Sequence, residues 1–236
     1  MDRRLSGGED TAATAGHRED VVGLIHYFAS NRAEVLELTM EHLWLVGVSM
    51  LLAVLAGVPT GILLARRPRL EKPVLAGANI VETIPSLALF GLLLPVPWLG
   101  ARADRLAILA LALYALLPII RNTYAGITGV DPAVVEAGRG MGLTDRQLLF
   151  HVQLPLALSV ILAGVRVATV ISIGVATIAA AIGAGGLGEF IFRGLAMVNN
   201  DLILAGAIPA ALLALAADLV FGIAERILRP RTSAHG

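Results

Sequence analysis

The chain has 236 residues, of which 57% are hydrophobic and 15% charged, and its mean hydropathy is +0.80. A soluble domain has about 45–50% apolar and about 25% charged residues, so this chain is too apolar to be covered by a polar surface. Its 18 basic and 18 acidic residues cancel, which gives no reason to expect nucleic acid as a partner. Because cysteine is absent, a disulfide scaffold is excluded and the redox compartment stays open.

The N-terminal region is more polar than the rest of the chain. Residues 1–19 contain Gly, Thr and acidic residues but not the short apolar core of a signal peptide, so they are predicted to form a disordered outer tail. Over residues 20–41 the apolar side chains, such as Leu24 and Phe28, share one face. This pattern predicts an amphipathic helix in the outer membrane interface, with a short soluble helix as the alternative.

Five apolar stretches come close to the roughly 20 residues that a helix needs to cross a bilayer. They cover residues 43–65, 74–97, 106–127, 154–182 and 202–224. The stretches are too long and too rich in Leu and Ala for strands, and they lack the alternation of a barrel wall. The prediction is therefore an all-α integral membrane protein with five spans. Four prolines interrupt the spans, which membrane helices tolerate when neighbouring groups satisfy the freed backbone: Pro59, Pro85, Pro118 and Pro209.

Basic residues predict the orientation, because they concentrate on the cytoplasmic side of a membrane protein. Ten of them fall on one side of the five spans: Arg66, Arg67, Arg69, Lys72, Arg121, Arg139, Arg146, Arg226, Arg229 and Arg231. The other side carries Arg102, Arg105 and Arg193, and four more Arg in the N-terminal region. We therefore expect the N-terminus outside and the C-terminal tail, residues 229–236, in the cytoplasm.

The loop between the third and fourth spans carries clear helix signals. Asp131 is a predicted N-cap, Pro132 suits the first turn, and Gly142 suits the end of a helix that runs to about Met141. Thr144 is then placed to cap a second helix leading into the fourth span. A short helix displayed between two spans is typical of a docking element.

This loop resembles the EAA motif of permease subunits in binding-protein-dependent ABC importers. That motif reads Glu-Ala-Ala, three residues, Gly, nine residues, Ile, one residue and Leu-Pro. The matching positions here are Glu136, Ala137, Gly138, Gly142, Val152, Leu154 and Pro155. Two of them depart from the family pattern, since Gly138 replaces the second Ala and Val152 replaces Ile.

The resemblance implies a five-span type I ABC importer permease fold with a cytoplasmic coupling helix. It implies that Glu136 contacts an ATPase subunit and that Gly142 permits the turn beside it. The implied partners are two ATPase copies, a second permease copy or a homologous permease, and an extracytoplasmic substrate-binding protein. No Walker A lysine is present, since Lys72 precedes Pro73, so ATP and Mg²⁺ are expected on the ATPase and no cofactor or catalytic residue in this chain.

Three further segments, residues 82–89, 182–188 and 205–210, resemble the osmoprotectant branch of this class. That branch imports glycine betaine, choline, carnitine and related quaternary amines. The resemblance implies a permease subunit that forms the translocation pathway by alternating access. Three alternatives stay open: an importer of another small solute such as an amino acid, an ion-gradient-driven transporter, and an intramembrane enzyme. The second alternative would require inverted repeats and ion ligands, and no motif supports the third.

Charged residues inside the spans predict a polar cluster. Measured from the cytoplasmic face at about 1.5 Å per residue, Glu82, Arg166 and Asp218 lie roughly 13, 16 and 12 Å deep. Charges at such depth usually pair with one another or face a cavity. The cluster is therefore either a structural ion pair or a site where a spare carboxylate faces the pathway.

The segment between the fourth and fifth spans is predicted to lie outside. Residues 183–188 match G-x-G-x-x-G, but an apolar helix precedes them instead of a strand, so a Gly-rich turn is predicted, not a nucleotide site. A short helix should follow from Glu189 to about Val198. Glu189, Arg193 and Asp201 are predicted to contact the substrate-binding protein, with a solvated loop as the alternative. The five His residues are scattered without ligand spacing, so no metal site is predicted.

Overall fold

The structure is a computed structural model that describes residues 27–228, and every regular element in this range is helical. The helices are α1 (Arg32–Arg66), α2 (Glu71–Thr83), α3 (Ser86–Leu93), α4 (Pro97–Gly100), α5 (Ala103–Thr128), α6 (Pro132–Gly140), α7 (Asp145–Leu148), α8 (Leu154–Ala179), α9 (Gly188–Met197) and α10 (Asn200–Leu228). The predicted all-α class is confirmed. The predicted tails, residues 1–19 and 229–236, lie outside the described residues.

Within residues 27–228, four helical stretches are long and apolar enough to cross a membrane. They are α1, α5, α10 and the continuous run from Asp145 to Ile182, which contains α8. The helical segments Pro68–Thr83 and Ser86–Leu93 pass the same test together but meet at an angle of 100°. The second predicted span is therefore bent at a break. Counted as one broken span it brings the number of spans to five, and counted as a re-entrant loop it leaves four.

Pro85 marks this break. Ile84 before it is extended, with ψ of 125°, as expected for a residue that precedes proline. The break leaves the Ile84 carbonyl without a helical partner, and the Tyr114 hydroxyl of α5 donates a hydrogen bond to it. A side chain of the neighbouring span thus satisfies the freed backbone group. Pro59, Pro118 and Pro209, by contrast, lie inside continuous helices.

The first helix is longer than its predicted span. Arg32 to Glu41 continue directly into the apolar part of α1, which corrects the prediction of a separate helix over residues 20–41. The polarity change at Glu41 does not end the helix, since no Gly or Pro accompanies it. Leu38 is buried against Leu187 and Phe190, so this end of α1 packs on protein. Residues 20–26 of the predicted helix lie outside the described range.

The helix α5 forms the centre of the bundle. It packs against α1 on one side and α8 on another, and its fully buried side chains include Leu106, Leu111 and Ile119. Gly57 of α1 lies so close to Ile119 that an added Cβ would come within 2.8 Å of it. Gly61, four residues later on α1, comes similarly close to Thr123 of α5, so these two glycines serve helix packing inside the subunit.

Candidate functional site

The helix α6 is defined by local caps at both ends. The Asp131 side chain accepts a hydrogen bond from the Ala133 amide at 2.8 Å, and Pro132 occupies the first turn. At the other end the Leu143 amide donates to the Gly138 carbonyl and the Gly142 amide to that of Arg139. This pair of bonds is a Schellman motif, which needs a left-handed residue at Gly142, where φ is +84°. The predicted caps are confirmed.

One side of α6 is anchored and the other is free. Gly138 is buried, and a Cβ at this position would come within 2.7 Å of Leu148 Cδ1. This contact explains why glycine suits the position where the family pattern has alanine. Glu136 and Ala137 are exposed, and Glu136 lies about 160° around the helix from Gly138. Val134 and Met141 lie on the same side of the helix as Gly138 and are 41% and 76% exposed. The helix therefore exposes apolar side chains beside Gly138 and an acidic side chain on the opposite side.

The segment after α6 leads into the fourth span through a widened turn. Thr144 and Gln147 form a reciprocal capping box at the start of α7, as Thr144 was predicted to do. Leu149–Gln153 is then a π-helical turn, followed by half-buried Leu154 and exposed Pro155 in the first turn of α8. Pro155 has no amide hydrogen, and its ring would clash with the carbonyl four residues earlier, so the turn widens there.

The loop is also tied to the end of the first span. Arg66 of α1 donates to the Asp145 carbonyl at 3.0 Å, and Arg139 of α6 lies 3.8 Å from the Asp145 carboxylate. Together these residues line a cleft of about 340 Å³. The elements α6, α7 and α1 therefore meet at Asp145.

The charged residues inside the bundle form a cluster that differs from the predicted one. Arg166 of α8 donates two hydrogen bonds to Asp218 of α10, at 2.6 and 2.7 Å. Its second carboxylate partner is Glu225, at 3.6 Å. Glu82 is exposed and makes no ion pair or hydrogen bond with any residue from 27 to 228. Glu82 is on α2, which packs on α5, whereas the Arg166 cluster lies between α8 and α10.

The sequence profile of the family described as binding-protein-dependent transport system inner membrane component matches residues 57–234, which contain the capped α6 loop. The chain belongs to this family. It is a multi-pass membrane protein and a permease subunit of an ABC importer, a class that works with an ATPase and a substrate-binding protein.

Curated relatives of this permease cover most of its length. The glycine betaine/carnitine/choline transport system permease protein OpuCD of Bacillus subtilis is 49% identical over 205 residues, 86% of this chain and 88% of that protein. The choline transport system permease protein OpuBD of the same organism is 47% identical, with 88% and 91% covered. The osmoprotectant import permease protein OsmW of Salmonella typhimurium is 43% identical, with 88% and 97% covered.

A solved structure shows the same fold. The permease aligns with a chain of the inward-facing MetNI methionine ABC transporter with a TM-score of 0.72 at 24% identity. The alignment covers 80% of this chain and 93% of that chain. The predicted type I importer permease fold is therefore confirmed.

The predicted outer contact residues of the permease have different environments. Arg193 of α9 pairs with Glu34 of α1 at 2.6 Å and lies 5.1 Å from the Phe190 ring centre. The hydrogen bond from Arg193 to Glu34 raises the pKa of Arg193, so the guanidinium stays charged. Glu189 lies one turn before Arg193 on α9 and its charge also raises the pKa of Arg193, whereas Asp201 is half-buried in the first turn of α10. The predicted helix from Glu189 to about Val198 is present as α9, Gly188–Met197.

Two glutamates of the permease for which the sequence predicted no role, Glu41 and Glu225, connect separate parts of the chain. Glu41 accepts a hydrogen bond from the Gly186 amide at 3.0 Å and so ties α1 to the predicted Gly-rich turn. Glu225 completes the Arg166 cluster. Glu225 lies seven residues after Asp218, two turns along the same helix face. This spacing alone could have predicted that Glu225 belongs to the cluster. No local signal connects Glu41 with a turn 145 residues away.

Proposed function

We propose that this chain is the permease subunit of an ATP-driven importer for osmoprotectants of the quaternary-amine class. Identity of 49% to a permease named for glycine betaine, carnitine and choline carries this proposal. Two permease subunits would enclose a pathway and two ATPase subunits would supply the energy. A binding protein would deliver the solute, and the bundles would alternate between inward and outward states.

The proposed contact with the ATPase is the exposed surface of α6. Val134 and Met141 offer apolar contact, and Glu136 adds an exposed charge on the other side of the helix. The anchored side of α6 rests on Leu148, so a push on the exposed face moves the loop as a unit. ATP hydrolysis would then be performed on the ATPase and not on this chain.

The orientation is part of the proposal, with α6 in the cytoplasm and α9 outside. Because the native chain has no Cys, single cysteines report sidedness without background. We expect Met197→Cys in α9, 68% exposed, to react with an impermeant thiol reagent only from outside. Gly140→Cys in α6 should react only from inside, and the reversed pattern would overturn this topology.

Uptake into liposomes tests the substrate class. The transporter, reconstituted with its ATPase and binding protein, should import choline, glycine betaine or carnitine when ATP is supplied inside. Methionine and histidine serve as controls for the alternative that the solute is an amino acid. This alternative is tested because the methionine transporter has the same fold. Uptake of an amino acid without any quaternary amine would refute the proposed class.

A further inference from the structure

The guanidinium of Arg166 lies across a side-chain gap on α10. Gly222, between Asp218 and Glu225, has no side chain, and a Cβ there would come within 3.2 Å of Arg166 Nη1. Asp218, Gly222 and Glu225 are spaced four and three residues apart, so they occupy one stripe of the helix. One guanidinium thus pairs with two carboxylates. Arg166 can balance the charge of only one of them, so the stripe has one surplus carboxylate.

This charged stripe is open on the surface of the subunit. The side chains of Arg166, Asp218 and Glu225 are 34%, 45% and 33% exposed. Arg166 and Asp218 lie inside the predicted spans, where charged side chains face water or protein instead of lipid because hydrocarbon does not solvate a charge. Glu225 lies about two turns nearer the C-terminal end of α10, at the predicted membrane surface. The exposed side of the Arg166–Asp218 pair therefore does not face hydrocarbon.

A second face of α10 has the opposite character. Its exposed large apolar residues are Leu212, Leu219, Val220, Ile223 and Ile227. Exposed Ala211 and Leu215 lie seven and three residues before Asp218, so both belong to the charged stripe and extend it by two turns. At 100° per residue, Ala211 and Gly222 point about a quarter-turn away from their neighbours Leu212 and Ile223. The helix thus has an apolar side suited to lipid and a narrower side that carries Asp218 and Glu225.

We propose that the stripe of Ala211, Leu215, Asp218, Gly222 and Glu225, with Arg166 opposite, lines the water-filled translocation pathway. Its surplus carboxylate is a negative site that a cationic head group meets during passage, a role that rests on the proposed substrate class. Tight contact between two copies at this stripe is disfavoured, because an isologous interface would bury like charges against each other. Across a water-filled gap the same charges repel little.

Matched cysteine pairs on α10 test the pathway assignment. The pairs are Ala211→Cys with Leu212→Cys and Gly222→Cys with Ile223→Cys, each made in the assembled transporter in liposomes. Adjacent residues have nearly the same depth, about 1.5 Å apart, but face different sides. The Ala211 and Gly222 variants should react with a charged, water-soluble thiol reagent. The Leu212 and Ile223 variants should react only with a lipid-soluble maleimide.

Two results would overturn the assignment. One is absence of reaction of Ala211→Cys with the charged reagent both with and without ATP. The other is equal reaction of Ala211→Cys and Leu212→Cys. Since Ala211 does not touch the ion pair, its replacement keeps the test valid if Gly222→Cys assembles poorly. These readouts do not depend on the transported solute, so they remain informative if the proposed substrate class fails.

The role of the surplus charge is tested by comparing two solutes in one variant. Choline carries a net positive charge, whereas glycine betaine is a zwitterion. Glu225→Gln should lower choline uptake about threefold to tenfold more than glycine betaine uptake, as expected for loss of one partly screened charge contact. Glu225→Asp should restore the ratio. An equal loss for both solutes would refute the contact with the cation.

Discussion

The Asp218 carboxylate receives two parallel hydrogen bonds from the Arg166 guanidinium, which joins α8 to α10 across 52 residues of sequence. This two-point geometry is directional, and lysine cannot reproduce it because its ammonium is a single point charge. The pair therefore sets the register of the two helices as well as neutralising two charges.

Charge exchange tests this structural role. Arg166→Asp or Asp218→Arg alone should lower the yield of folded transporter and its midpoint temperature, because each leaves like charges together within the membrane-spanning part of the protein. The double variant with both changes should recover much of the yield. Arg166→Lys is the control, and full stability in that variant would contradict the importance of the two-point geometry.

The turn after α6 provides a prediction on coupling. Gly142→Val should cost about 1–2 kcal/mol locally, since a β-branched residue is strained at a φ of +84°. We expect less transport per ATP hydrolysed in liposomes. Gly142→Asn should retain coupling, because Asn tolerates the left-handed region.

A neighbouring glycine offers the matched control for that turn. Gly140→Val places the same side chain where a Cβ meets no atom within 4 Å and φ is not positive. Coupling should therefore change little in Gly140→Val. Equal uncoupling in Gly140→Val and Gly142→Val, with normal assembly, would show that the turn conformation is not the cause.

The broken second span depends on a hydrogen bond from α5. Tyr114→Phe removes the hydroxyl that donates to the Ile84 carbonyl and should destabilise the permease by about 0.6–1.7 kcal/mol. The measurement is thermal unfolding in detergent with retained helicity checked by circular dichroism. The control is Tyr124→Phe, which removes a hydrogen bond to the Glu71 carboxylate. Water can donate to that carboxylate in place of the hydroxyl, so we expect a smaller loss of stability in this variant.

The end of α9 holds an unfavourable backbone conformation. Val198 has φ of 52° and its side chain is 89% exposed, although β-branched residues rarely adopt this region. Val198→Asn should raise stability by about 0.5–1 kcal/mol by relieving that strain. Binding-protein affinity is the second measurement. If stability rises and the affinity for the binding protein falls, the Val198 side chain contacts the binding protein. If the affinity is unchanged, Val198 is not part of that contact.

The α6 loop was predictable because its determinants are local. Asp131, Pro132, Gly142 and Thr144 each act within a few residues of their own position, so their residue types and spacing specify the caps. The spans were predictable for a similar reason, since about 20 apolar residues in a row have few other stable environments. Composition, helical class and family resemblance were therefore available from the sequence alone.

Tertiary structure alone decided how the helices meet. Equal depth placed Glu82 with Arg166 and Asp218, but depth does not specify the face of a helix or its neighbours. The bend at Pro85 and the packing of α2 on α5 leave Glu82 outside the cluster, while Glu225 enters it because it shares a face with Asp218. Likewise, Pro59, Pro85, Pro118 and Pro209 look alike in sequence, yet of these four Pro85 alone breaks its helix. The Tyr114 hydroxyl donates a hydrogen bond to the carbonyl of Ile84, which the break leaves without a helical partner. Residues so far apart in sequence meet only when the helices pack.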